Sequence, residues 1–140
     1  GIIPVQFGKE VVYYAIEKNK AVKVTGEGQS QKREAELIKK EPAYSNIAEL
    51  GFGVLDNFGV ERIGETLLDE KLGFHVAFGR SDHFGGMVGP KDFTSPQAVV
   101  HIDRIFIPAI QPRVMVKSII LIYEDNKEET LIENGNYVIF

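Results

Sequence analysis

The segment His101-Ile102-Asp103 carries two cation-binding side chains separated by one apolar residue. On a strand, alternate side chains share a face, so His101 and Asp103 project together while Val100 and Ile102 turn to the opposite, buried side. An imidazole nitrogen and a carboxylate oxygen held at i, i+2 form half of a site for zinc, cobalt or manganese. The same pattern also arises as the polar face of an ordinary surface strand. His75 alternates with Phe74, Val76 and Phe78, which puts it beside small Ala77 on the face away from the core. That small neighbour leaves room above the face, although a hydrogen-bonded structural histidine fits the pattern too. Glu49 lies in an apolar run with Ile47, Ala48, Leu50 and Phe52. Burying its carboxylate uncompensated is costly, so it calls for a cation: a metal, or one of Arg62, Arg80 and Arg104.

His83 completes the histidines, and all three fall within residues 75–101. It belongs to the glycine-bounded stretch Gly79–Gly86, which reads either as a flexible connection or as an active-site loop following the His75 strand. Ser81-Asp82-His83 is not a catalytic triad, because adjacent side chains diverge and triads are assembled by the fold. The absence of cysteine excludes a disulfide scaffold, a thiolate zinc site and a cysteine nucleophile. No HExxH, GxSxG, Walker or EF-hand pattern occurs, and the glycines do not match a dinucleotide fingerprint.

These residues sit in a chain of 140 residues with 16 basic and 20 acidic groups, a net charge of −4. The charge is evenly spread and forms no basic patch, so a nucleic-acid partner is not expected. The longest apolar runs, such as Ile119–Tyr123, are too short to span a bilayer, and no secretory signal precedes them, so a cytoplasmic protein is expected. The chain opens on Gly1 rather than Met, so the natural protein is expected to extend upstream.

The elements that must position the ligands follow from the pattern. Val11–Ile16 and Ala21–Val24 read as a hairpin turning at Lys18-Asn19. Residues 31–40 read as a helix with Ser30 as its N-cap, ending before Pro42. Ile47–Leu50 is a short apolar segment, and Glu65–Lys71 a short helix. Strands are expected at Phe74–Phe78, Val99–Ile107 and Val114–Tyr123, with a turn at Asp125-Asn126. Thr130–Glu133 and Tyr137–Phe140 pair across Asn134-Gly135-Asn136. Together they describe one α+β domain over residues 1–140, rich in antiparallel or mixed sheet, with two short helices.

Asn46-Ile47-Ala48-Glu49-Leu50-Gly51, Glu65–Lys71, His75-Val76-Ala77-Phe78-Gly79 and His101-Ile102-Asp103 occur in one order. They resemble successive motifs of the thermophilic metallo-aminopeptidases, the family of aminopeptidase T, aminopeptidase S and PepS with leucyl aminopeptidase-like activity. The resemblance implies a binuclear site for zinc or cobalt, acting on the N-terminal residues of a peptide substrate. Carried over, Glu49, His75, His101 and Asp103 are the metal ligands that match the family's motifs. The sequence departs from the family in two respects. Asp82 and His83 stand where the family has a tyrosine ligand, and His83 is taken as the ligand in its place. A further upstream glutamate ligand and a preceding α/β domain have no counterpart in this chain, so the site is expected to hold one ion or two.

Glu49 and Asp82 are assigned to catalysis, with Asp82, Glu65 and Glu70 the carboxylates open for the general base. The competing readings are a non-catalytic β-rich binding or oligomerisation domain on the same scaffold and another metal-dependent hydrolase, for instance a cupin-like barrel. The oligomeric state is left open, a homodimer included, and no membrane partner is expected.

Overall fold

A computed structural model describes residues 1–140. Strand β1 (Ile2–Phe7), which the sequence reading did not anticipate, opens the chain and pairs antiparallel with β2 (Glu10–Glu17), which pairs in turn with β3 (Lys20–Gly26). The expected turn at Lys18-Asn19 is present, with both residues left-handed at φ 47° and 63°. This is the backbone that a two-residue hairpin of matching twist requires. Helix α1 (Gln29–Lys40) follows and packs on β2 and β3.

The helix starts earlier than expected, and Ser30 lies inside it rather than capping it. The residue before it, Gly28, has no side chain to cap with. Glu10 on β2 takes over, its carboxylate accepting the N–H groups of Gln29 at 3.1 Å and Ser30 at 2.7 Å. A remote carboxylate thus does what an N-cap side chain would do, placed where the helix dipole favours negative charge.

The second sheet has the order β4-β5-β6, all antiparallel: β4 (Ile47–Phe52), β5 (Phe74–Gly79) and β6 (His101–Ile105). Between β4 and β5 lies α2 (Thr66–Asp69), continued by a 3-10 turn at Glu70–Leu72; the single helix expected at Glu65–Lys71 therefore divides in two. The last strands, β7 (Ser118–Ile122), β8 (Glu128–Glu133) and β9 (Asn136–Tyr137), form a third antiparallel sheet. Its hairpin turns on Asn134-Gly135 alone, so Asn136 is already paired with Glu133. The strands expected at Val99–Ile107 and Val114–Tyr123 are both shorter than the apolar runs that suggested them. The architecture is α+β: one compact domain of three antiparallel sheets and two helices. No helix is long and apolar enough to cross a membrane.

The core joins the first two sheets. Val5, Val12, Tyr14, Ala21 and Val24 meet Tyr44, Val76, Phe78 and Phe106, with Ile47, Phe74, Val100 and Ile102 packed around them. Phe74, Val76 and Phe78 occupy the core face of β5, as their alternation predicts. A polar knot crosses this core. Buried Glu34 of α1 accepts the Tyr14 and Tyr44 hydroxyls at 2.8 Å each and ion-pairs with Arg33 at 3.0 Å, while Arg104 donates to the Tyr44 hydroxyl at 3.0 Å. Burial pushes both tyrosine hydroxyls upward in pKa, so they remain donors to the carboxylate. The knot fastens α1 and β2 to the back of β6.

Hydrogen bonds from Ser30, with Arg33 adding its charge, hold the Glu10 carboxyl below the usual range for glutamate. A depressed folded pKa contributes stability that is present above the unfolded value and lost as pH falls through the folded one. Glu10→Ala is therefore expected to lower the melting temperature at pH 7. The gap to the parent protein should narrow progressively below about pH 4.5; parallel thermal melts at pH 7 and pH 3 measure it.

Candidate metal centre

Sheet register builds the site. Glu49 of β4 faces Ala77 of β5, which faces Asp103 of β6; one row along, Gly51 faces His75 and His75 faces Ile105. His101 faces Gly79. One face of the sheet therefore presents Glu49, His75, His101 and Asp103 around Ala77, and the small residue beneath leaves the space that the sequence pattern suggested.

Glu49 reaches that face only because β4 is irregular. Ile47 pairs with Phe78 on the core face, and two residues further along Glu49 would share that face in a regular strand. The register shifts between Ile47 and Glu49, with Ala48 as the extra residue. A one-residue insertion flips every later side chain to the other face. Ile47 stays in the core, and Glu49 turns outward over Ala77.

Ligand atoms of Glu49, His75 and Asp103 all lie within 4.8 Å of one another. His75 Nε2 stands 3.4 Å from Glu49 Oε1, and His101 Nε2 stands 3.1 Å from Glu49 Oε2 and 3.5 Å from Asp103 Oδ1. Both imidazoles are fixed from behind: His75 Nδ1 donates to the Gly73 carbonyl at 3.0 Å, His101 Nδ1 to the Arg80 carbonyl at 2.8 Å. A carbonyl only accepts, so the Nδ1 proton is assigned on both rings. What Nε2 presents to the carboxylates is then either a second proton or a lone pair directed at a cation between them. Carbonyl-anchored imidazoles beside carboxylates are the usual outer support of a metal ligand set.

The acids are incompletely matched. Asp103 Oδ1 is buried without a hydrogen-bond partner. Two unit negative charges no more than 4.8 Å apart repel by about 3 kcal/mol or more at an effective dielectric near 20. Burial pushes the Asp103 carboxyl above the usual aspartate range. Glu70, at the start of the turn after α2, brings a third carboxylate close to Asp103 and His75. Burial raises Glu70 too, but its bond to Lys71, with the His75 and Asp103 contributions, outweighs this and holds it below the normal range. Of the adjoining pair, Glu70 keeps its charge and Asp103 is the one that burial disfavours. All-nitrogen-and-oxygen donors, an orphaned buried carboxylate oxygen and crowded negative charge together fit a divalent ion of the zinc, cobalt or manganese type. Side-chain exposure rises from 2% at Asp103 and 4% at His75 to 17% at His101 and 22% at Glu49, so the cluster opens along its Glu49–His101 side.

The three arginines offered as partners of Glu49 are engaged elsewhere. Arg62 reaches Asp69, Arg80 binds Asp82, and Arg104 serves the core knot. His83 lies against the cluster from outside, its ring edge-on to that of His101 with centroids 4.9 Å apart. Asp82 is bound by Arg80 at 2.5 Å and lies 3.7 Å from His83 Nδ1. Ser81 is buried and bonded to Asn46 and Val88, which leaves no triad. Glu65 is exposed. Sequence reasoning considered Glu70 only as a base and missed its place among the cluster's carboxylates. It also missed Gly51, whose position two residues after Glu49 was the available signal. A Cβ there would stand 2.0 Å from His75 Nε2, so glycine is what lets the ring lie across the sheet.

No family sequence model matches the chain, and no curated protein sequence does. Among solved structures, wild-type AmpT from Thermus thermophilus superposes with a TM-score of 0.59 at 19% identity, over 98% of this chain and 35% of that one. The likeness shows a shared fold. The chain spans about a third of the length of AmpT.

Two substitutions separate fold from site. Gly51→Ala should leave the sheet intact, since Gly51 has no positive φ, yet displace the His75 ring and weaken zinc binding tenfold or more; a chelator competition alongside circular dichroism reads both effects. Asp103→Asn should abolish metal uptake while raising the melting temperature of the metal-free protein at pH 7. Its sign follows from the raised folded pKa: the ionised carboxylate costs stability at neutral pH, and the cost shrinks as pH falls through the folded value and is gone below the unfolded one.

Proposed function

We propose that this chain is the metal-binding part of a metal-dependent aminopeptidase. The observation that carries the reading is the pair of imidazoles held by backbone carbonyls, their Nε2 atoms converging on Glu49 and Asp103. The likeness in fold to AmpT supports it, because it agrees with the resemblance to aminopeptidase T carried independently by the ordered sequence motifs. Glu49, His75, His101 and Asp103 hold zinc or cobalt, with His83 close enough to His101 to complete the set on the open side. A bound ion supplies polarisation of the scissile carbonyl and acidification of water.

The remaining work belongs to the chain's own groups. Glu70, kept ionised by Lys71, accepts the proton of the attacking water, and of the three carboxylates considered for this role it is the one beside Asp103 and His75. Asp82 is neutralised by Arg80, and its contribution is to hold the His83 loop. Glu49, the most open carboxylate of the cluster, faces the side where the free amine of a peptide enters.

Metal-free protein titrated with zinc is expected to take up one or two ions per chain. His101→Ala and Asp103→Ala should each lower the affinity by at least tenfold. Uptake near zero, unchanged by either substitution, sinks the metal reading. Release of p-nitroaniline from Leu-p-nitroanilide by the cobalt- or zinc-loaded protein tests the peptidase step. A chain that binds the ion tightly but stays inert is instead a scaffold without the chemistry.

A further inference from the structure

The loop after β5 has a fixed base and an apolar tip. At the base, the Ser81 and Asp82 N–H groups both donate to the Val88 carbonyl, and Val88 N–H donates to Ser81 Oγ. Asn46 Nδ2 clamps the same place through the Gly79 carbonyl and Ser81 Oγ. Gly86 has no room for a side chain, because a Cβ there would stand 2.3 Å from Ser81 Oγ. From this base the tip carries two large apolar side chains into water, with Phe84 62% and Met87 94% exposed. Single exposed apolar residues are common and need no explanation. This pair differs in its placement. Phe84 packs on the His101 ring at 5.7 Å. Phe84 and Met87 also line a groove of about 610 Å³ together with Ile47 and Ala48, the residues just before Glu49, and with polar Asn19, Asn46 and Ser81. Lys20 is the one charged residue along it. The groove thus lies beside the cluster, with Phe84 shared between its wall and the His101 ring, and no acidic residue lines it.

Resting on the aminopeptidase reading, we infer that this groove receives an apolar side chain of the substrate peptide next to the scissile bond, with Phe84 and Met87 as specificity-determining residues. The clamped base holds the tip in place, so the contact area is offered without a folding step on binding. A neutral branched or aromatic side chain gains from such walls. An acidic side chain would find only Lys20, and glycine would gain nothing.

The chain contains two methionines, Met87 and Met115, and Met115 lines a different apolar groove, beside β1 and the segment leading into β7. Methyl-13C-methionine labelling thus gives one reporter in each. Zinc-loaded and metal-free protein are titrated with L-leucinamide and, separately, with glycinamide. The expected result is a shift of the Met87 methyl signal with leucinamide alone, while Met115 stays still. A silent Met87, or a Met115 that moves in its place or equally, overturns the inference even if zinc binds as proposed. A Met87 that responds in protein unable to take up zinc upholds the groove and counts against the metal reading, so the two failures are distinguishable. In the active protein, Met87→Ala should reduce the kcat/KM preference for leucyl over alanyl substrates by about tenfold, and Met87→Leu should restore it. An unchanged preference overturns the assignment.

Discussion

One inserted residue in β4 decides whether there is a site at all. Ile47 must reach the core beside Phe78, and Glu49 must reach the opposite face beside Ala77, yet the two are separated by a single residue. Only the bulge at Ala48 satisfies both. Everything else on the ligand face follows from regular pairing: His75 over Gly51, Asp103 over Ala77, His101 over Gly79. The bulge is thus the point where packing and chemistry make incompatible demands on a strand, and bulges commonly serve to re-aim a side chain.

That also explains which parts of the site were legible in the sequence. His75 with Ala77, and His101 with Asp103, were readable because their strands are regular and period two assigns the faces without knowledge of the partners. The face taken by Glu49 was not readable, since the local pattern gives no hint that the alternation breaks at Ala48. The cap of α1 failed for a related reason. Ser30 has the right chemistry and the right neighbours, but Glu10 arrives from another strand and supplies the acceptor first. Glu70 was visible only as one of three candidate bases, without a place in the cluster; its proximity to Asp103 comes from the turn that follows α2. Local pattern reaches as far as one element, and these three misses lie where a second element or a break in the alternation intervenes. The third sheet was legible in outline from Asp125-Asn126 and Asn134-Gly135, where turn chemistry is local, and only its strand ends were misplaced.

The electrostatics of the cluster run against stability in the metal-free chain. Asp103 is buried with an unpartnered oxygen, and Glu49, Asp103 and Glu70 crowd one face with Lys71 as the nearby counter-charge. The surroundings absorb that cost. On the reverse of β6, Arg104 ties the strand through Tyr44 to Glu34 and α1, while the Gly73 and Arg80 carbonyls prevent the imidazoles from swinging away. Strain of this kind persists where the rest of the fold over-determines the geometry.

The candidate ligands come from three strands and span residues 49 to 103, in a chain that contains no cysteine. An ion held by Glu49 and Asp103 together would act as a covalent cross-link does, forbidding the unfolded chain to separate those two points. For a loop of about 55 residues, chain-entropy arithmetic values such closure at about 4 kcal/mol. Loading the site would then also be a fastening of β4 to β6 across the central strand, and the melting temperature of the protein would report on its metal content.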